Sequence, residues 1–379
     1  MKARKLIALS CLLVLVWSCS VEPPLHLRRP ANLEVDLSTT VELDVMWQIN
    51  WEALWEYRWD ASVLGPLGYA EPTGMRLHTY ALDEAYEPVS HQAYNFAGRE
   101  GRMQVFAGYY NFLFHNNDSE AIQFTSENEL ADIFAYTRVI SSKGLLASDI
   151  VLTLSQKAAT KADGEYDPSL DPVILQPDGL FSLFSPEVWI SDNLEDYEYI
   201  DGRYVYRVKG ALQPSTFIYL IQMRLHNNNG RVVGSAGGAA ITGMADRIDI
   251  TNRRTSDKTV SVLMDVMINP AADPDLMGSR VVTFGIPGCD PYDPASVAAA
   301  PDVPHYLVLN VSYYNGTYRN IRVDITDKVR ALPTGGVIDL ELDVNDFPPP
   351  EDPPQPGGSG FQALVDDWQH EEGDYTIVQ

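Results

Sequence analysis

The residues of this 379-residue chain with the most chemical potential are a cysteine near the amino end, seven histidines, two groups of aspartates and a run of tryptophans. Cys19 closes the tetrad Val16, Trp17, Ser18, Cys19, behind the cations Lys2, Arg4 and Lys5 and an apolar run over residues 6–17. That order reads as an export signal over residues 1–18 ending in a lipobox, cut between Ser18 and Cys19, with acyl chains on Cys19. The alternative is a plain secretory signal cut near Ser18. The apolar run is shorter than the roughly 20 residues that cross a bilayer, so no transmembrane helix is expected. One acyl chain binds a membrane reversibly, whereas two or three would make release negligible.

The other candidates argue against catalysis. His26, His78, His91, His115, His226, His305 and His370 show neither HExxH nor paired-ligand spacing, so no metal site is expected from them. Cys289, the one thiol left unmodified after processing, lies in GCDPYDP and reads as structural. Asp163, Asp167 and Asp171, and again Asp290 and Asp293, could gather oxygen ligands around calcium. They lack the EF-hand order with its central glycine, and solvated loops are the preferred reading. Trp47, Trp51, Trp55 and Trp59 recur at every fourth residue and so share one face of a strand or, approximately, of a helix. Sugar stacking is one reading of that series; a half-buried sheet face plus an aromatic loop is the other. With no GxSxG, Walker or dinucleotide motif, no catalytic residue and no cofactor are expected.

The elements that would position these residues are strands. Apolar residues alternate or cluster in short runs such as LEVDL, MRLHTYAL and RMQVFAGYYNFLF, bounded by glycine, proline and asparagine. Asn229-Gly230 and Asn315-Gly316 lie between strand-like runs and predict type I′ hairpins. In VIDLELDV, the residues Ile338, Leu340, Leu342 and Val344 share one face and predict a core-facing side. The glycines of VVGSAGGAAITGM sit in strand-type sequence, where bulges are the expected use. Helical signals are few: Ser126 with Glu129 suggests a capping box ahead of LADIFAY, and residues 294–300 suggest a short turn.

This pattern predicts an all-β chain of sandwiches with few short helices. Length suggests two domains, placed at residues 31–198 and 199–346. Residues 19–30 form a lipidated tether. FPPPEDPPQPGGSG, residues 347–360, is a linker, stiff where proline-rich and flexible where glycine-rich. The tail, residues 361–379, carries a strand that can pair with its own sheet, the favoured reading, or with another chain's edge. The formal charge of −25 becomes −28 once Lys2, Arg4 and Lys5 leave with the signal, which excludes nucleic acid as a partner.

The lipobox, GYYNFLFHNNDSE (residues 108–120), AAITGMADRIDI (239–250), VDITDKV (323–329) and GFQALVDDW (360–368), taken in order, resemble the fimbrillin-related lipoproteins of the Bacteroidales. The similarity is to anchor-type subunits of type V pili and covers nearly the whole processed chain. It implies two transthyretin-like Greek-key β-sandwich domains, lipid anchoring in the outer membrane, a cell-surface location and fimbrial subunits as partners. A binding role without catalysis follows, as a fimbrial anchor or accessory subunit engaging a pilin by strand-edge pairing. The alternative is a surface glycan-binding lipoprotein serving polysaccharide uptake, with the tryptophan series as its platform.

Overall fold

The computed structural model describes residues 33–41, 68–98, 100–140, 171–200, 202–269, 275–350 and 375–377. Ser18, Cys19, the tether, the four-tryptophan series, Asp163, Asp167 and most of the linker lie outside the described residues.

The all-β expectation holds: among the described residues strands dominate, with two short α-helices, α1 (Pro294–Ala298) and α2 (Thr326–Arg330). An eight-stranded sheet runs in the order β3 (Pro88–Ala97), β2 (Gly74–Leu82), β5 (Gly108–Asn116), β9 (Phe181–Ile190), β11 (Arg203–Pro214), β1 (Leu33–Val41), β4 (Glu100–Met103), with β10 (Glu198–Ile200) also on β11. A four-stranded sheet has the order β16 (Val266–Asn269), β17 (Asp275–Thr283), β12 (Phe217–His226), β20 (Gly336–Asp343). A six-stranded sheet has the order β21 (Tyr375–Ile377), β19 (Tyr318–Asp324), β18 (Tyr306–Tyr313), β13 (Val232–Ala245), β15 (Thr259–Met264), β8 (Val173–Ile174). β14 (Arg247–Asp249), β7 (Phe134–Tyr136) and β6 (Gln123–Phe124) make a small fourth sheet. Strands from both sides of residue 198 share sheets, since β7 pairs with β14 and β8 with β15.

Period-two patterning builds the main core. Tyr219, Ile221, Met223 and Leu225 of β12 and Ile338, Leu340 and Leu342 of β20 point the same way as Val344 beyond the strand, and all are buried. They share one cluster with Leu307, Leu309 and Val311 of β18 and Ile321 and Val323 of β19, so the four- and six-stranded sheets pack as a sandwich. Each such side chain contributes roughly 1.5–3 kcal/mol over its exposed state. A second cluster, including Met75, Leu77, Phe112, Phe114 and Phe181, lies on one face of the eight-stranded sheet.

Local expectations fare unevenly. Asn315-Gly316 does join a hairpin of β18 and β19, but only Gly316 has positive φ, and the Tyr313 N–H donates to the Thr317 carbonyl. Asn229 and Gly230 both adopt positive φ, as a type I′ turn requires, yet the strands they join do not pair. β12 bonds to β17 and β20, and the turn carries the chain from the four-stranded sheet to the six-stranded one. The capping box is absent. Residues Leu130–Asp132 make one 3-10 turn, Glu129 precedes it without a side-chain cap, and Ile133 and Ala135 enter the core along an extended path. The turn near residue 294 is helix α1, with the Asp293 side chain accepting from the Ala295 N–H. In β13 the glycines mark bulges: the register shifts between Ile241 and Met244, where Gly243 has φ +74° and an added Cβ would stand 2.4 Å from the Pro304 carbonyl oxygen.

Candidate functional site

Strand β2 alternates faces, so Met75 and Leu77 enter an apolar cluster while Arg76, His78 and Tyr80 point the other way. Register then decides who meets them. His78 stands opposite Ala93 of β3 and Leu113 of β5, which places His91 and His115 on its two diagonals. The His78 Nδ1 lies 3.0 Å from His91 Nε2, and His78 Nε2 lies 3.2 Å from His115 Nε2. Three of the seven histidines that look scattered along the chain therefore converge. Strand β6 and the segment after it cover them: the Phe124 ring is 4.5 Å from that of His115, and Glu127 pairs with Arg76 at 2.7 Å. The Tyr80 hydroxyl donates to the Glu127 carbonyl at 2.7 Å. Burial, reinforced for His78 by His115 and Arg76, lowers the His78 pKa to about 3. Burial also lowers that of His115 to about 4 and moves that of His91 down. All three imidazoles are neutral near pH 7.

A second group is exposed. The rings of Tyr86, Tyr109 and Trp189 form a chain with centroid separations of 5.1 and 4.6 Å, and all three side chains are more than a third exposed. Tyr86 has φ +62°, unusual for a bulky residue, in a turn where Asp83 Oδ1 accepts from the Ala85 and Glu87 N–H groups. Opposite it, the ladder between β5 and β9 shifts register after Tyr110, and Glu187, at φ +54°, donates its N–H to Asn111 Oδ1. Such bulges re-aim neighbouring side chains.

Other sequence candidates among the described residues have structural roles. Asn116 Nδ2 donates to Asp118 and to the Gly179 carbonyl, and its Oδ1 accepts from Phe181 N–H. Asn117 Nδ2 donates to the Met75 carbonyl, and Asp118 accepts from Thr73. The Tyr-Asn motif thus clamps the ends of β2, β5 and β9 together. Cys289 is fully buried, its N–H donates to Thr255 Oγ1, and burial pushes its thiol up to about 11, which fits a structural thiol. Asp290 pairs with Arg253 at 3.2 Å, and Asp171 accepts from Thr259 Oγ1 at 2.8 Å. The sequence reading missed both aromatic and histidine groups. Its usable signal was a histidine inside each of three strand-like runs, but only strand order shows that they are neighbours.

The sequence pattern of a family described as a domain of unknown function, DUF5119, matches residues 65–265, more than half of the chain. The chain belongs to this family. A search of curated proteins finds no match. Among solved structures, the chain is similar to a candidate adhesin from Bacteroides ovatus, at 15% identity and TM-score 0.50, over 84% of this chain and 94% of that one. It is also similar to the fimbrial anchor protein Mfa2 from Porphyromonas gingivalis, at 14% identity and TM-score 0.38, over 82% and 90%. A fimbrial assembly protein from Parabacteroides distasonis follows at 8% identity and TM-score 0.30, over 82% and 90%. The fold of the first of these, from a Bacteroidales species, is consistent with the fimbrillin-related resemblance drawn from the sequence. The DUF5119 chain shares its fold with the first of them across nearly the whole of both molecules. No helix among its described residues is long and apolar enough to cross a membrane.

Proposed function

We propose that the chain is a lipid-anchored protein of the outer-membrane surface, a type V fimbrial anchor or accessory subunit that engages a pilin by strand-edge pairing. The observation that carries the reading is the fold it shares, over 84% of this chain and 94% of the other, with the candidate adhesin from Bacteroides ovatus. Two further features support it. The sequence offers Cys19 as the acylation site. Among the described strands, β20 ends the four-stranded sheet, with β12 on one side only, and an extended partner strand could add to its other side. Asp339, Glu341 and Asp343 alternate along β20, so two copies meeting edge to edge would bring like charges together, which disfavours self-pairing. The proposal includes two sandwich domains joined near residue 198 in sequence, with β7 and β8 of the first pairing to strands of the second and β11 of the second completing a sheet of the first, a transthyretin-like topology in each, and binding without catalysis.

Protease shaving of intact cells carrying wild type or Cys19→Ala, followed by crosslinking, tests this. The wild type should be digested and should crosslink to a pilin-like neighbour, while Cys19→Ala should be lost from the outer membrane. Protection of the wild type, or surface exposure with no pilin-like neighbour, would overturn the reading.

The aromatic chain of Tyr86, Tyr109 and Trp189 favours a second reading, glycan binding at the cell surface. Exposed rings offer apolar faces on which sugars stack, and these three are linked by ring contacts. Affinity electrophoresis against a polysaccharide panel should show retardation that Trp189→Ala removes; no retardation on any glycan would end this reading.

A further inference from the structure

Neighbours fix where each proton sits in the histidine cluster. The Asn116 carbonyl can only accept, and it lies 2.7 Å from His115 Nδ1, so the proton is on Nδ1 and the Nε2 lone pair is bare. Arg76 Nε donates to His78 Nε2 over 3.2 Å, so that nitrogen carries no proton of its own. The His78 proton is then on Nδ1, donated to His91 Nε2. Two unprotonated imidazole nitrogens thus lie 3.2 Å apart, that of His78 taking the Arg76 N–H and that of His115 with no donor facing it, in residues only 0% and 2% exposed. Lone pairs held together away from water repel, and a cation between them relieves the repulsion. The other tautomer, with the His78 proton on Nε2 pointing at His115, sets that N–H against the Arg76 N–H. Either way the protein atoms leave one contact in conflict.

Geometry suits a metal ion. Two nitrogens bound to one tetrahedral zinc at about 2.0–2.1 Å lie about 3.3 Å apart. Glu127 Oε1 is 3.8 Å from His78 Nε2, and ligand atoms of His78, His115 and Glu127 all fall within 4.8 Å of one another. Metal-bound imidazoles usually give their second N–H to an acceptor that fixes the ring. Here His115 gives its own to the Asn116 carbonyl and His78 to His91. We propose that His78, His115 and Glu127 bind a divalent transition-metal ion of the zinc class, with solvent in the fourth position. Glu127 is partly exposed and opens the path from solvent. Arg76 is the competitor: its guanidinium holds both Glu127 and His78 Nε2, and it must swing outward when the ion enters. The site stands independently of the surface role proposed above.

Zinc chloride titrated into the full chain in detergent, followed by calorimetry and X-ray absorption, tests the assignment. One zinc should bind at a site with two imidazoles and oxygen at about 2.0–2.1 Å. His115→Gln should abolish that site, and Glu127→Gln, in a partly exposed loop residue, should weaken it without unfolding the chain. Arg76→Gln should tighten it by about tenfold or more, the scale that partners of metal ligands carry. Zinc uptake unchanged by His115→Gln and Glu127→Gln would place the ion on surface carboxylates and overturn the assignment. Failure of both the wild type and Arg76→Gln to bind would reduce the cluster to a hydrogen-bonded relay of imidazoles.

Discussion

In the sandwich of four- and six-stranded sheets the inward positions are almost uniformly apolar, whereas one face of the eight-stranded sheet buries His78 and His115 beside Arg76 and Tyr80. The first arrangement gains stability from each buried side chain and requires little beyond complementary volume. The second must find partners for the polar groups it desolvates, and contacts among β2, β3, β5 and the segment holding Glu127 supply them at all but the meeting of His78 and His115. One region supplies stability, and the other holds groups whose positions are specified to within a hydrogen bond. The two are nevertheless tied, because Tyr80, Leu113, Ile122 and Ile133 belong to the same apolar cluster as the sandwich strands.

The largest expected effect tests that tie. Phe284→Ala in the sandwich core and Phe112→Ala in the eight-stranded sheet should each destabilise by about 3–5 kcal/mol. Both side chains are fully buried. Differential scanning calorimetry should show one transition that moves in both variants. Two transitions moving separately would split the molecule into independent units.

Acidification should discriminate next. Burial lowers the His78 pKa to about 3 and those of His115 and His305 to about 4. The unfolded chain, with histidines near 6.5, therefore binds more protons than the folded one between pH 6.5 and these values. Stability is full above pH 6.5, falls as the pH drops and levels off below about 3 to 4. Each group contributes a loss of about 2 kcal/mol between pH 7 and pH 5. Urea titrations at the two pH values check this. Two of the three groups lie on the eight-stranded sheet, so His305→Gln should remove the smaller share of the pH dependence.

The smallest effect is expected at the aromatic chain. Trp189→Ala should change stability by no more than about 0.5 kcal/mol, because the side chain is 41% exposed. A melting temperature that falls by many degrees would show the rings to be structural and remove the ground for the glycan reading.

The same contrast explains what could be read from the sequence. Ile338, Leu340, Leu342 and Val344 were legible because strand periodicity alone assigns their face. Asn229-Gly230 was legible as a turn but not as a crossing between sheets, because backbone preference sets the local angles and says nothing about which strands pair. Ser126 and Glu129 matched a helix start, yet burial of Ile133 and Ala135 outweighed a local propensity worth little on its own. The histidine cluster was illegible for a related reason. Its members are 13 and 24 residues or more apart in sequence, and only the order β3-β2-β5 with its diagonal register makes them neighbours.

Strand β1 pairs in parallel with β11 over nine consecutive positions, from Leu33 opposite Tyr204 to Val41 opposite Leu212. A pull on the amino end along the strand direction loads these pairs together in shear instead of opening them one after another like a zipper. Tension at that end would be shared along the whole ladder, and how long the molecule holds would be set by the rate at which the ladder slips, not by its equilibrium stability.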